Sequence, residues 1–442
     1  MKIKKRSLVI LLVLIVFGGT TAFGVYAWHT RPLKIDKPVA IKTDSVPAKG
    51  CVFQTVFGLE SSDSNFIYKT PEKAQQAIND ALVWMAKAQA DDGGWGAGSY
   101  YHQDITDPHA VKSDPATTAI VSMALLRCKN TPTSGAYSAN LNKATGFLLL
   151  AVEGAPEQAD NITTLESTQP QIKLGTNIDV ILTSQYFTNL LDDIDNDPQL
   201  KTRVKKCIDK CVRKIQRAQQ ADGSSKGSGW AGVLQSSLAN NALETAESKG
   251  AAVDTAVLEK SRSFQKGNYD FKSGDVKTDM GAGVVLYSVS SASRASAKEA
   301  KVAKDKIEEG KKSGVLKSTD SITADNLQKV GYSYSQATKS QAAYEVNKAS
   351  KVRAQQNDVM EGFGSNGGEE FLSYLQTGEG MIVSKDTDWK KWYDNISGRL
   401  IKIQNQNGSW NGHHCITSPV FCTATCLLVL SVNNDIEHLL RM

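Results

Sequence analysis

Along most of this chain apolar residues recur at spacings of three and four, the period of a helix with one buried face. Hardly anywhere do they alternate at the spacing of two that marks a half-buried strand. Ala74, Ile78, Leu82 and Met85 set the first such face, and Asp91-Asp92-Gly93-Gly94 closes it. Thr70-Pro71-Glu72 reads as its start, with Thr70 as cap and Pro71 in the first turn, where a missing N–H costs nothing. Asp114-Pro115 opens a second helix over 116–128. There Ala119, Ile120, Met123, Ala124 and Leu126 leave little polar face, so burial on most sides is expected.

The same succession, an amphipathic helix and then a more apolar one, returns along the chain. Residues 142–150 pair with 178–191, 200–219 with 231–247, 253–264 with 280–292, 297–312 with 369–383, and 389–404 with 420–432. Each hairpin is too apolar on one face to stand alone, so the hairpins must stack with their second helices inside. The expected fold is all-α, with about six hairpins closing into a double ring; an open solenoid is the rival. The inner helices are expected to begin after Asp114, Thr176, Trp230, Thr278, Gly368 and Ser418.

Ahead of the hairpins, Lys2, Lys4, Lys5 and Arg6 precede a charge-free stretch over 7–28. A cleavable signal peptide needs an apolar core of about 7–15 residues and a membrane helix about 20, so both readings are open. Val25-Tyr26-Ala27 is a poor cleavage site, and Tyr26 and Trp28 suit a membrane interface, so the expectation is an uncleaved, single-pass anchor with the remainder exported. Cleavage would instead release a secreted or periplasmic protein. The chain divides into an anchor or signal over 1–28, a stalk over 29–67 and a helical domain over 68–442.

Composition narrows the picture. The 442 residues hold 51 Lys+Arg against 46 Asp+Glu, a net charge of +5, which is too even for a nucleic-acid-binding chain. At 40% hydrophobic residues the bulk is not disordered. Seven cysteines are too few for a disulfide framework. Cys207 and Cys211, like Cys422 and Cys426, are four apart on one helix face and read as small buried apolar residues.

The turns carry a motif. Gln89 to Trp95 and Gln404 to Trp410 both read Q-x-x-x-G-x-W, and the stretch from Gln219 to Trp230 reads the same with an insertion before its Trp. Gly relieves the backbone at a helix end, Trp packs over the turn, and the Gln amide can bond unpaired helix-end groups. This resembles the repeat of the squalene–hopene cyclase and protein prenyltransferase superfamily. The resemblance, over roughly residues 68–432, implies the (α/α)6 toroid.

That superfamily's catalytic signatures have no match here. No D-x-D-D acid is present; the nearest acidic run, residues 192–197, reads as a solvated turn rather than a calcium site. By the resemblance, Glu369, Phe371 and Cys422 stand where prenyltransferases hold zinc with Asp, Cys and His. The Gly-Cys-Gly-Glu-Gln string of thioester proteins is also absent.

A cluster at the last turn remains: His413, His414 and Cys415, followed by Cys422 at the start of the last apolar helix. Packing or a disulfide ranks first for it. A zinc site ranks second, since two His and two Cys make up a tetrahedral set, and a nucleophilic thiol activated by imidazole or helix N-terminus ranks third. Glu369 and Glu370 lie at the corresponding end of the neighbouring hairpin and are candidates to face the same cavity. Two readings follow. The first is a non-catalytic toroid binding an isoprenoid or other lipid, a peptide or a protein partner in or beside a largely apolar central cavity. The second is an enzyme of isoprenoid or lipid metabolism with an altered site, in which Glu369, Glu370, His414, Cys415 and Cys422 are the catalytic candidates.

Overall fold

The computed structural model describes residues 66–441, apart from Ser228, Phe363 and Ser365. The expected anchor over 7–28 and the stalk up to residue 65 lie outside the described residues. Among those described the fold is all-helical, with sixteen α-helices and no strand. They are α1 (Glu72–Lys87), α2 (Pro115–Arg127), α3 (Ser138–Gly154), α4 (Gln169–Leu174), α5 (Ile178–Leu190), α6 (Pro198–Arg217), α7 (Gly232–Ser248) and α8 (Thr255–Lys266). There follow α9 (Val285–Lys312), α10 (Ala324–Lys329), α11 (Tyr334–Ala354), α12 (Asn357–Met360), α13 (Gly368–Val383), α14 (Trp389–Lys402), α15 (Pro419–Leu430) and α16 (Ile436–Arg441). None of them alone is long and apolar enough to cross a membrane.

Six helices form the interior. Nearly every side chain of α2, α5, α7, α13 and α15 is buried, as is the first half of α9. They touch in succession: α2 packs on α5, α5 on α7, α7 on α9, α9 on α13, α13 on α15, and α15 on α2 again. Outer helices lie against them, α3 on α2, α6 on α5 and α7, α8 on α7 and α9, α11 on α9 and α13, α14 on α13 and α15, and α1 on α15. Close packing is helped by small polar residues that return their hydroxyls to their own helix. Ser236 donates to the Gly232 carbonyl (2.8 Å), Ser296 to Ala292 (2.6 Å) and Thr425 to Phe421 (3.0 Å).

Five of the six amphipathic helices stand where the periodicity placed them; the fifth does not. Residues 297–312 are not a separate helix but the second half of α9. From Ser290 to Glu309 no Gly or Pro interrupts a run of good helix formers, so nothing ends the helix. The outer position is taken by α11, whose buried face is made of Ala337, Ala343, Val346, Asn347, Ser350, Lys351 and Ala354 and carries almost no apolar period. The end of α9 makes a small core of its own with Leu316, Leu327 and Ala337. Thr70 also differs from expectation: it accepts from Asn433 Nδ2 (2.6 Å) and does not cap α1.

The Gln-Gly turns each join one hairpin to the next. Gln89 Nε2 donates to its own turn at Gly93 O (2.7 Å) and to Asn140 O in the first turn of α3 (2.9 Å). Gln404 Nε2 donates to Gly408 O (2.9 Å) and to Ala77 O in α1 (2.9 Å), and Gln219 Nε2 to Val257 O in α8 (2.7 Å). The three glycines share one left-handed conformation, φ +88°, +93° and +90° at Gly93, Gly223 and Gly408. A Cβ on Gly408 would stand 2.6 Å from the Asp80 carbonyl oxygen.

Trp95 and Trp410 are buried in matching ways. Each indole N–H donates to the preceding helix, Trp95 to Met85 O (3.0 Å) and Trp410 to Leu400 O (2.8 Å). Each backbone N–H meets a threonine of the following apolar helix, Thr118 or Thr423, at 2.9 Å. In the third turn that place is taken by Ser225, whose N–H donates to Ser236 Oγ (3.0 Å). Trp230 is therefore not the motif's tryptophan; it is 58% exposed. No insertion is needed to align the turn.

Trp95→Ala and Trp410→Ala are expected to destabilise the protein by about 3–5 kcal/mol in chemical denaturation, the cost of emptying a large buried ring site. Gly408→Ala should cost at least about 1 kcal/mol through left-handed strain and the close Asp80 carbonyl. Trp230→Ala should cost less than about 2 kcal/mol, as an exposed ring stacked on a cation. Equal losses at Trp230 and Trp410 would contradict this division.

Candidate functional site

The residues singled out by the sequence converge at the N-terminal ends of the apolar helices. Gly368 N–H donates to Ile416 O (3.0 Å) and His413 N–H to Asn366 O (2.7 Å), so the segment before α13 lies beside the one before α15. Glu370 is fully buried and caps α13: its Oε2 accepts the Gly367 N–H (2.9 Å), its Oε1 the Tyr287 hydroxyl (2.6 Å), and His414 Nε2 stands 3.8 Å away. Glu369 Oε2 accepts the Ile416 N–H (3.1 Å). Both glutamates thus tie the start of α13 to its neighbours. Burial holds the Glu369 carboxyl up at about 8; Glu370's charge adds to this, and the Ile416 N–H and the Lys173 ammonium oppose it.

Lys173, Gln169, Tyr100 and Tyr287 complete this cluster, and the periodicity had pointed to none of them. Lys173 is 3% exposed, with its ammonium 4.1 Å from the Trp230 ring centroid and 4.7 Å from that of Tyr100, and its charge acts on the Cys415 thiol. Gln169 Oε1 accepts the N–H groups of Thr417 (2.7 Å) and Ser418 (3.1 Å), and its Nε2 donates to Ala97 O (2.9 Å). Gln103 Nε2 donates to the Cys415 carbonyl. Cys415 itself has a left-handed backbone, φ +59°.

The thiols are the opposite of activated. Burial pushes Cys415 up to about 12, with Glu369 adding and Lys173 opposing, and burial within α15 raises Cys422 well above its ordinary value. The six cysteines of the described residues, from Cys128 to Cys426, are all free, so Cys415 and Cys422 form no bridge. Cys422 lies in the helix and donates to Ile416 O (3.4 Å), and Cys415 stands in the loop before it with a carbonyl that accepts from Gln103. Among the described residues no three His, Cys, Asp or Glu side chains are grouped so as to hold a metal ion, the expected set of His413, His414, Cys415 and Cys422 included. His413 is exposed.

At the other end of the same helices is a cavity of about 300 Å³ lined by residues of all six. Ile120, Met123, Leu182, Leu238, Leu372 and Leu375 form its apolar wall, and Asn434 to Leu439 close one side. None of Glu369, Glu370, His414, Cys415 and Cys422 lines it. Nor is it largely apolar, because Gln185, Asn241, Gln376, Arg127, Arg294 and Glu379 also contribute.

The charges in this wall answer one another. Arg127 Nη2 meets Glu379 Oε1 (2.6 Å) and Asp435 Oδ2 (2.9 Å), and Arg127 Nη1 donates to Leu428 O (3.2 Å). Glu379 also pairs with Arg294 (3.4 Å), which reaches Glu244 (3.8 Å), itself bound to Arg262 (2.7 Å). Burial works against the Arg127 charge, but Asp435 and Glu379 outweigh it and raise its pKa; Arg127 in turn overcomes burial to hold Asp435 below its ordinary range.

Glu369 supplies a pH test of the first cluster. Folded, it keeps its proton up to about pH 8; unfolded, it releases it near 4.5. Its contribution to stability is whole below the unfolded value and falls as pH rises toward 8, by at most about 1.4 kcal/mol per pH unit. Glu369→Gln should therefore melt higher than the parent above about pH 8 and gain little near pH 5. Identical pH dependence of the two melting temperatures would mean that Glu369 is charged when folded. No family model, curated protein or solved structure matches this chain.

Proposed function

We propose that the chain is an (α/α)6 toroid resembling the terpenoid cyclase and prenyltransferase group, exported and tethered through residues 7–28, and that it binds a ligand without converting it. The closed succession of contacts among α2, α5, α7, α9, α13 and α15 supports the toroid. The observation that carries the function is the cavity they share, the usual setting for a small molecule between helices. A peptide or protein on the end of the toroid is the alternative occupant.

An enzymatic reading has one arrangement in its favour: burial raises the Glu369 carboxyl to about 8, with Cys415 and Lys173 near it. Against it, Glu369 and Glu370 are engaged with backbone N–H groups, the sequence has no alkene-protonating acid string, and burial raises the Cys415 and Cys422 thiols.

The deciding measurement is mass spectrometry of organic extracts from the purified full chain and from Leu375→Trp, which fills the cavity. A molecule carried by the first and missing from the second is expected. Incubation with squalene and prenyl diphosphates should give no product; cyclised product or released diphosphate that disappears on changing Glu369, His414 or Cys422 would restore the enzyme. Protease shaving of intact cells should remove the helical domain and leave a membrane stub, whereas spontaneous release of the domain would remove the tether.

A further inference from the structure

We infer that a groove beside α3 is the docking site of this chain's own residues 51–59, the charge-free run between Lys49 and Glu60 that precedes the helical domain. The groove is separate from the central cavity, with which it shares no lining residue.

The groove measures about 810 Å³ and is walled by three parts of the chain: the C-terminal half of α3, the segments at 90–92 and 109–115 on either side of Trp95, and the loop over 155–165. On α3 the lining residues are Phe147, Leu150, Ala151 and Gly154, spaced by three and four as one face of a helix. This face has no helix against it in the groove. Leu150 is 43% exposed there, whereas Leu141, Leu148 and Leu149 of the same helix are fully buried. The facing loop is fixed in place. Lys214, fully buried, donates through Nζ to Pro156 O (2.7 Å) and to Ala159 O, and Asp179 Oδ2 accepts the Ile162 N–H (2.8 Å). The groove is therefore preformed, and an occupant need not organise it.

Residues 51–59 lie outside the described residues, and their sequence suits the groove. Phe53 and Phe57 are the only Phe, Tyr or Trp between positions 29 and 65, and Val52, Val56 and Leu59 accompany them. Left in water, these side chains forgo the free energy of burial. The flanking charges also match. Asp91 and Lys112 line the groove, both exposed and neither in an ion pair among the described residues, and Lys49 and Glu60 carry charges of both signs to meet them. The chain is long enough. From the start of α1 to the groove edge at Ala90 the helix rises about 24 Å, and residues 51–65 can span up to about 50 Å. A free partner of equal chemistry competes poorly, because a segment on so short a link is present at an effective concentration in the millimolar range.

Cys51 supplies the probe, since none of the six cysteines of the described residues lines the groove. In the full chain, Cys51 is offered a thiol on the groove wall by Thr164→Cys, or on α11, which packs on α9 and α13, by Lys348→Cys; both positions are exposed. After mild oxidation, peptide mass mapping should find Cys51 bridged within one chain in Thr164→Cys at least about tenfold more than in Lys348→Cys. Leu150→Glu, or Phe53→Ser together with Phe57→Ser, should lower that bridging to the Lys348→Cys level, with an unchanged circular dichroism spectrum showing that the helical domain is folded. Equal bridging at the two positions, no bridging at either, or bridging that survives the loss of both phenylalanines would overturn the docking. A bridge joining two chains would also overturn it and give the groove to a second copy.

Discussion

A helix buried on nearly every side is stable only against partners, and this chain contains six such stretches, α7 and the first half of α9 among them despite their many Ser and Asn residues. Everything else in the structure serves to keep them against one another. The Gln-Gly turns matter because they work between hairpins and not only within one. Gln404 closes its own turn at Gly408 and reaches Ala77, 327 positions away in the sequence, so the last hairpin is fastened to the first. The left-handed Gly408 lets the turn lie against the Asp80 carbonyl at a separation that a side chain would prevent. Gln89 and Gln219 make the equivalent connections to α3 and α8.

Holding six helices side by side gives their two ends different chemistry. At the N-terminal ends, backbone N–H groups are unpaired by the geometry of a helix, and Glu369, Glu370 and Gln169 accept them. The loops there fit closely enough to bury Lys173 between two aromatic rings and to keep a glutamic acid protonated. Toward the C-terminal ends the side chains do not meet across the middle. A cavity remains, its rim held by the Arg127, Glu379 and Asp435 network, which binds α2 and α13 to the segment that follows α15. Such a network is weak evidence of stability, because burial strips water from both partners of each pair.

Most of the helical framework was legible in the sequence, since helix period, caps and stops are settled within a few residues. Asp114 caps α2 by accepting the Thr117 N–H (2.8 Å), as the Asp-Pro pair implied. The convergence of Glu369 and Glu370 with His413 to Cys415 was also legible, from their equal places in neighbouring hairpins. The extent of α9 was misread although its cause is local: an expected break at the end of the apolar half had no residue to make it. For α11 the opposite holds. A face of Ala, Ser and one Val, with Asn347 and Lys351 among them, looks the same in sequence whether it is buried or solvated, and only packing on α9 and α13 decides.

The chemistry of the site divides along the same line. The sequence by itself determined that the protein is helical, that its second helices are the interior, and that two Gln-Gly-Trp turns bury their rings, because period and turn preference act over short range. Tertiary structure alone decided that Ser225 stands in a tryptophan's place, that Trp230 covers Lys173, that the thiols are held neutral, and that the cavity lies away from the His and Cys cluster. Burial and electrostatics at those positions are sums over side chains brought together from distant parts of the chain. Asn241 and Gln376 read as ordinary polar residues until six helices surround them and leave one amide atom of each without a partner.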